Sequence, residues 1–206
     1  MYDCRYTMFN FRLIIVVLTS LSLVSCASSV LTNTDNLCQI FRDNEDIYDA
    51  AIDMEKRWKV PLQIPLAMMH QESHFKEDAR PKRTYLLWFI PWGYVSSAYG
   101  YAQAQNEAWS DYIKSTGNSG ADRDDIDDAL DFMGWYIRQT NKLNKVSVWN
   151  TKEQYLNYHE GWGGYRRGTW KKKHWLIKVA DKVSMRASRY GTQYRSCKDS
   201  LDSSWF

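Results

Sequence analysis

A chain of 206 residues, 44% hydrophobic and 15% aromatic, is long enough for one packed domain plus a targeting segment and leaves no room for a second domain. A net charge of +3 is too small to argue for nucleic acid, so no nucleic-acid partner is expected. Ten Trp and fourteen Tyr suit either a deep core or a groove lined by ring faces. Charge is unevenly spread: Asp122 to Asp131 is acidic and Arg166 to Lys178 is basic. Solvated helix faces are the plain reading of both runs, and the basic one also suits an anionic surface.

Taken in chain order, Arg5 and Arg12 precede an apolar stretch from Leu13 to Val24. That stretch is short for a membrane span and reads as a signal peptide over residues 1–25. Leu23-Val24-Ser25-Cys26 resembles the bacterial lipobox, which implies lipidation of Cys26. Ala27 rather than Asp follows it, which in Gram-negative lipoproteins points to the outer membrane. The expected location is therefore the periplasmic face of the cell envelope, held to the membrane by a lipid anchor. Residues 26–37 are rich in Ser, Thr and Asn and read as a tether, and the folded domain is expected over 38–206. Cys4 leaves with the signal and Cys26 takes the lipid. Cys38 and Cys197 remain as an even pair, and an oxidising compartment makes them a disulfide.

Ile47, Ala50, Ala51, Met54 and Trp58 recur at helical spacing. Pro65 suits a first turn, and the helix it opens runs to about Ser73. Residues 80–99 have no clean period and carry Pro81, Pro91 and Gly93, which predicts a long loop. Further helices are expected over about 102–115, from Ile126 through Ile137, over about 151–160 up to Gly161, and from Leu176 through Ala187. No stretch alternates like a strand. The fold class expected is all-α, mostly helical, in a single domain.

Three short segments carry chemistry: Gln71-Glu72-Ser73-His74-Phe75, Ala98-Tyr99-Gly100-Tyr101-Ala102-Gln103 and Tyr158-His159-Glu160-Gly161-Trp162-Gly163. In order and spacing they resemble the three motifs of the goose-lysozyme-like, soluble-lytic-transglycosylase family: Glu-Ser, then Gly-Leu-Met-Gln, then Ala-Tyr-Asn-x-Gly. The resemblance spans about residues 38–197. It implies a lysozyme-like fold and a lytic transglycosylase that cuts the MurNAc–GlcNAc β-1,4 bond of peptidoglycan glycan strands, leaving 1,6-anhydroMurNAc ends and needing no cofactor. It makes Glu72 the catalytic acid, with Ser73, Gln103 and Tyr158 as substrate-binding positions. The sequence departs from the pattern at Tyr101-Ala102, which stand for Leu-Met, and at His159, which stands for Asn, with Glu160 beside it as a further binding candidate.

A glycosidic leaving oxygen needs a proton, so the acid must stay protonated near neutral pH. A Glu at a helix C-terminus faces the negative end of the dipole, and nearby aromatic rings desolvate it. Both effects raise its pKa. Three rival readings stand beside this one. Glu160 or a residue of the acidic run could activate water and make the enzyme a hydrolytic muramidase on the same fold. The chain could also be a non-catalytic wall-binding lipoprotein. His70 and His74 are four apart like zinc ligands, but Glu72 lies about 200° round the helix from His70 and points away from any such metal, so no metal is expected. The apolar run from Tyr85 to Trp92 has two readings: a lid folded onto the core, or a sugar platform built on Trp88 or Trp92.

Overall fold

The computed structural model describes residues 31 and 33–204, so the expected signal peptide, the expected lipidation site Cys26 and half of the expected tether lie outside the described residues. Seven α-helices account for most of it: α1 Leu37–Asp43, α2 Glu45–Trp58, α3 Gln63–Ser73, α4 Asn106–Thr116, α5 Ile126–Asn144, α6 Thr151–Arg167 and α7 His174–Ser204. A 3-10 turn, Thr169–Lys172, joins the last two. The mostly helical expectation holds. Short polar side chains start several helices. Asn36, Asn44, Asp125 and Asn150 each accept a hydrogen bond from a backbone N–H in the first turn of the helix that follows.

The helix α3 is the centre of the domain. Ile64, Pro65, Leu66, Ala67, Met68, Met69, His70 and Ser73 are all buried, so it is apolar nearly all the way round. It packs against α7 and α5, while α2 packs on α5 and α6 on both α5 and α7. The ends of the domain are tied together. Leu37 is fully buried, the Tyr190 hydroxyl donates to the Thr34 carbonyl, and Arg186 and Arg189 pair with Asp35. Cys38 and Cys197 form the expected disulfide between α1 and α7. Residues from Leu31 onward make a compact unit of their own.

The acidic run turns out to be structural. Asp125 caps α5, Asp124 accepts from the Tyr99 hydroxyl at 2.6 Å, and Asp128 accepts from the Asp122 backbone and the Asn118 side chain. Asp131 takes three donors, from Arg57, Trp58 and Tyr112.

Two expectations are corrected. Residues 80–99 are not a plain loop, for β1 Arg83–Leu86 and β2 Ile90–Tyr94 pair as an antiparallel hairpin. Leu87 and Trp88, both at positive φ, turn the chain between them. Backbone pairing satisfies the polar groups without burying the side chains, so this run does not fold onto the core as a lid: Trp88 is 93% exposed and Trp92 73%. The helix expected from about 102 begins only at Asn106. Gly100 and Gln103 both adopt positive φ and fold residues 99–104 into a tight turn closed by a Tyr99–Ala104 bridge.

Candidate active site

Glu72 sits in the last turn of α3, before His74 ends the helix in a left-handed conformation. It keeps some solvent exposure, yet its carboxyl is packed among enough protein to be strongly desolvated. Burial raises its pKa from 4.5 to about 7, and a hydrogen bond from the Tyr155 hydroxyl offsets part of the rise. The carbonyl end of the helix dipole acts in the same direction as burial. A partly accessible carboxyl that is half protonated near neutral pH can deliver a proton.

Two tyrosines on one face of α6 meet this carboxyl. Tyr155 and Tyr158 are three apart and so project the same way. Burial pushes both phenols well above their ordinary range, and the charge of Glu72 adds to it. Both therefore stay neutral donors. The Tyr158 hydroxyl also donates to the Ala102 carbonyl, which ties the third motif to the second.

The second motif is held rigidly. A side chain at Gly100 would place its Cβ 1.9 Å from the Arg123 carbonyl oxygen, and the residue sits at φ +74°, so glycine is required twice over. The Gln103 amide donates to the carbonyls of Ala79 at 2.8 Å and Gly100 at 2.9 Å. Gln103 thus clasps its own turn to the base of the hairpin.

Beside this turn lies a pocket of about 290 Å³, walled by Gln103, Phe132, Tyr136, Tyr158, Glu160 and Gly161 among others. Glu72 is not on that wall and is joined to it through Tyr158. Gly161 breaks α6 with φ 68° and ψ 159°, at the point where the sequence predicts a helix to stop, and the break opens the pocket's edge.

Ser73 does not join this group. It lies about 100° further round the helix, is buried, and donates to the Met69 carbonyl of its own helix. Glu160 lines the pocket, but its carboxylate is occupied. Lys173 lies 2.7 Å away, His159 Nδ1 lies 3.0 Å away, and the Thr169 hydroxyl donates to it. Burial alone would raise its pKa, but these bonds outweigh burial and hold it down at about 2. His70 and His74 stand ring to ring at 4.6 Å, and His70 Nε2 shares a hydrogen bond with the Thr34 hydroxyl at 3.1 Å. Burial lowers the His70 pKa to about 4. Among the described residues no group of three or more His, Cys, Asp or Glu is placed to hold a metal ion.

Sequence reasoning missed Tyr155, although its i, i+3 spacing from Tyr158 carried the signal. It also missed that the basic run supplies Lys173 to Glu160.

A family model described as a transglycosylase SLT domain matches residues 14–197. No curated protein matches the chain, and neither does any solved structure.

Proposed function

On the premise that this chain belongs to the transglycosylase SLT-domain family, whose domain is a lysozyme-like, mostly helical fold acting on peptidoglycan, we propose that Glu72 is the acid of a lytic transglycosylase that cuts the MurNAc–GlcNAc β-1,4 bond. The observation that carries this reading is the Glu72 carboxyl, desolvated to a pKa of about 7 and hydrogen-bonded by Tyr155. Protonated Glu72 gives its proton to the bridging oxygen as the bond from that oxygen to the MurNAc anomeric carbon breaks. The N-acetyl oxygen of the same sugar takes up the electron-poor anomeric carbon. The sugar's 6-hydroxyl then attacks that carbon and returns its proton to Glu72, closing the 1,6-anhydro ring. Tyr155, a neutral donor to Glu72, orients the carboxyl between the two steps, while Tyr158 is held beside it by its bond to the Ala102 carbonyl. Gln103, Tyr158 and Glu160 line the pocket that would receive a sugar.

The hydrolytic alternative needs a second carboxylate able to take a proton from water. Glu160, with its pKa near 2 and its oxygens bonded by Lys173, Thr169 and His159, is a poor base. The carboxylates Asp124, Asp125, Asp128 and Asp131 of the acidic run already accept structural hydrogen bonds. Intramolecular attack by the substrate therefore suits this site better than attack by water.

The test is Glu160→Gln. Loss of a water-activating base would lower turnover on purified wall by about 10²–10⁴-fold. Under the transglycosylase reading the variant keeps turnover within about tenfold of wild type, and its products do not change.

The same reading places the enzyme at the periplasmic face of the cell envelope, lipid-anchored through Cys26 in the outer membrane. The Cys38–Cys197 disulfide supports an oxidising compartment.

A further inference from the structure

The hairpin has no role in the chemistry above, yet it is the least expected surface on the domain. From Tyr85 to Trp92 the sequence is Tyr-Leu-Leu-Trp-Phe-Ile-Pro-Trp, and every one of these side chains is exposed. At the tip Leu87 is 63% exposed and Phe89 74%. Apolar side chains leave both faces of the ribbon, so no polar face turns to water. A protein groove or a sugar ring covers one face, whereas a lipid medium surrounds both. The hairpin also resists strand pairing with a second copy. Pro91 removes a donor, and the register slips between Thr84 and Tyr85, which twists the ribbon edge.

Charge completes the pattern. Residues 79–95 contain Arg80, Lys82 and Arg83 and no acidic residue, and all three cations lie at the base, away from the apolar tip. They are exposed, and two are held by aromatic rings: Arg80 stacks over Tyr99 at 4.0 Å and Tyr94 at 5.5 Å, and Arg83 over Tyr94 at 5.5 Å. Asp124, which accepts from the Tyr99 hydroxyl, offsets part of the Arg80 charge. The apolar tip extends at most about 7 Å beyond Leu86, two residues to Trp88 at about 3.3 Å each. That length matches the 5–10 Å to which interfacial apolar elements bury, with cations at headgroup level and Tyr at the boundary. The two arms pair their backbones with each other, which lowers the cost of leaving water.

We infer that this hairpin is a membrane-surface anchor: Leu87, Trp88 and Phe89 enter the outer acyl region of a bilayer while Arg80, Lys82 and Arg83 bind anionic lipid phosphates. The anchor stands independently of the reaction proposed above and of any lipid on Cys26. It has a geometric consequence. The Ala79 carbonyl at the hairpin base accepts from both the Gly100 backbone and the Gln103 amide. Docking the hairpin therefore orients the pocket with respect to the bilayer.

The test uses the compact unit from Leu31 onward, which lacks Cys26, with vesicles of phosphatidylcholine alone or with added phosphatidylglycerol. The unit is expected to co-sediment with the anionic vesicles and to shift its Trp emission to the blue. Brominated acyl chains should quench that emission in the wild-type protein. A Trp88→Ser, Trp92→Ser variant should bind about tenfold more weakly or worse, while melting normally and degrading soluble glycan fragments at the wild-type rate. Lys82→Glu with Arg83→Glu should abolish the preference for anionic lipid. Failure to bind either vesicle, or binding with no bromine quenching, overturns the anchor. So does lipid-free dimerisation that Trp88→Ser removes, which would make the hairpin a self-interface. Binding to glycan strands that Trp88→Ser removes, with vesicles ignored, would make it a sugar platform and also overturn the anchor.

Discussion

Replacing Glu72 by Gln should make the protein more stable and catalytically dead, and the gain in stability should depend on pH. A carboxyl whose pKa rises from 4.5 in the unfolded chain to about 7 in the fold opposes folding once it must ionise. Below pH 4.5 both states carry the proton and nothing is lost. Between 4.5 and 7 the unfolded chain has released its proton while the folded one keeps it, so stability falls as pH rises. Above 7 the penalty is complete, at about 3 kcal/mol. Gln carries no charge and still offers Tyr155 an acceptor, so it removes the penalty and keeps the bond. Melting curves of wild type and Glu72→Gln should nearly coincide at pH 4.5 and separate progressively up to pH 8, with the variant higher by several degrees. Activity on purified wall should fall by about 10²–10⁴-fold. Equal melting at both pH values would show that the carboxyl is not desolvated, and more than about a tenth of wild-type activity would show that it is not the acid.

Three further outcomes follow from neighbouring contacts. The Tyr155 bond favours ionised Glu72, so Tyr155→Phe should move the alkaline limb of the pH–activity profile upward from about 7, and a downward shift would reject that bond. Gly100→Ala forces a Cβ against the Arg123 carbonyl and should cost at least about 2 kcal/mol in denaturant unfolding, whereas wild-type stability would refute the turn geometry. The disulfide closes a loop across a separation of 159 residues, so replacing both Cys38 and Cys197 by Ala should cost up to about 5 kcal/mol, and an unchanged melting temperature would argue against the bridge.

Helix existence was legible because the apolar spacing is strong from Ile47 to Trp58, from Ile126 to Ile137 and from Leu176 to Ala187. Helix starts were less so. Gln103 takes a left-handed conformation that its side chain stabilises through Ala79 and Gly100, a tertiary effect with no local signal. The hairpin escaped detection because its residues do not alternate. Both of its faces are apolar, so the period of two that marks a half-buried strand is missing. In the site, Glu72 and Tyr158 stood out by motif, and Gly161 by its place in a helix. Ser73 shares the motif with Glu72, but helical geometry turns it into the core. Glu160 looked free to act, and only the fold brings Lys173, thirteen residues on, to its carboxylate.

The central claim is that the substrate's own hydroxyl, not water, completes the reaction that Glu72 begins. Digesting purified peptidoglycan in ¹⁸O-labelled water and weighing the released fragments tests it directly. The account predicts MurNAc ends one water lighter than the hydrolytic product and free of ¹⁸O. Reducing MurNAc ends carrying one ¹⁸O atom each would contradict it and make the enzyme a muramidase.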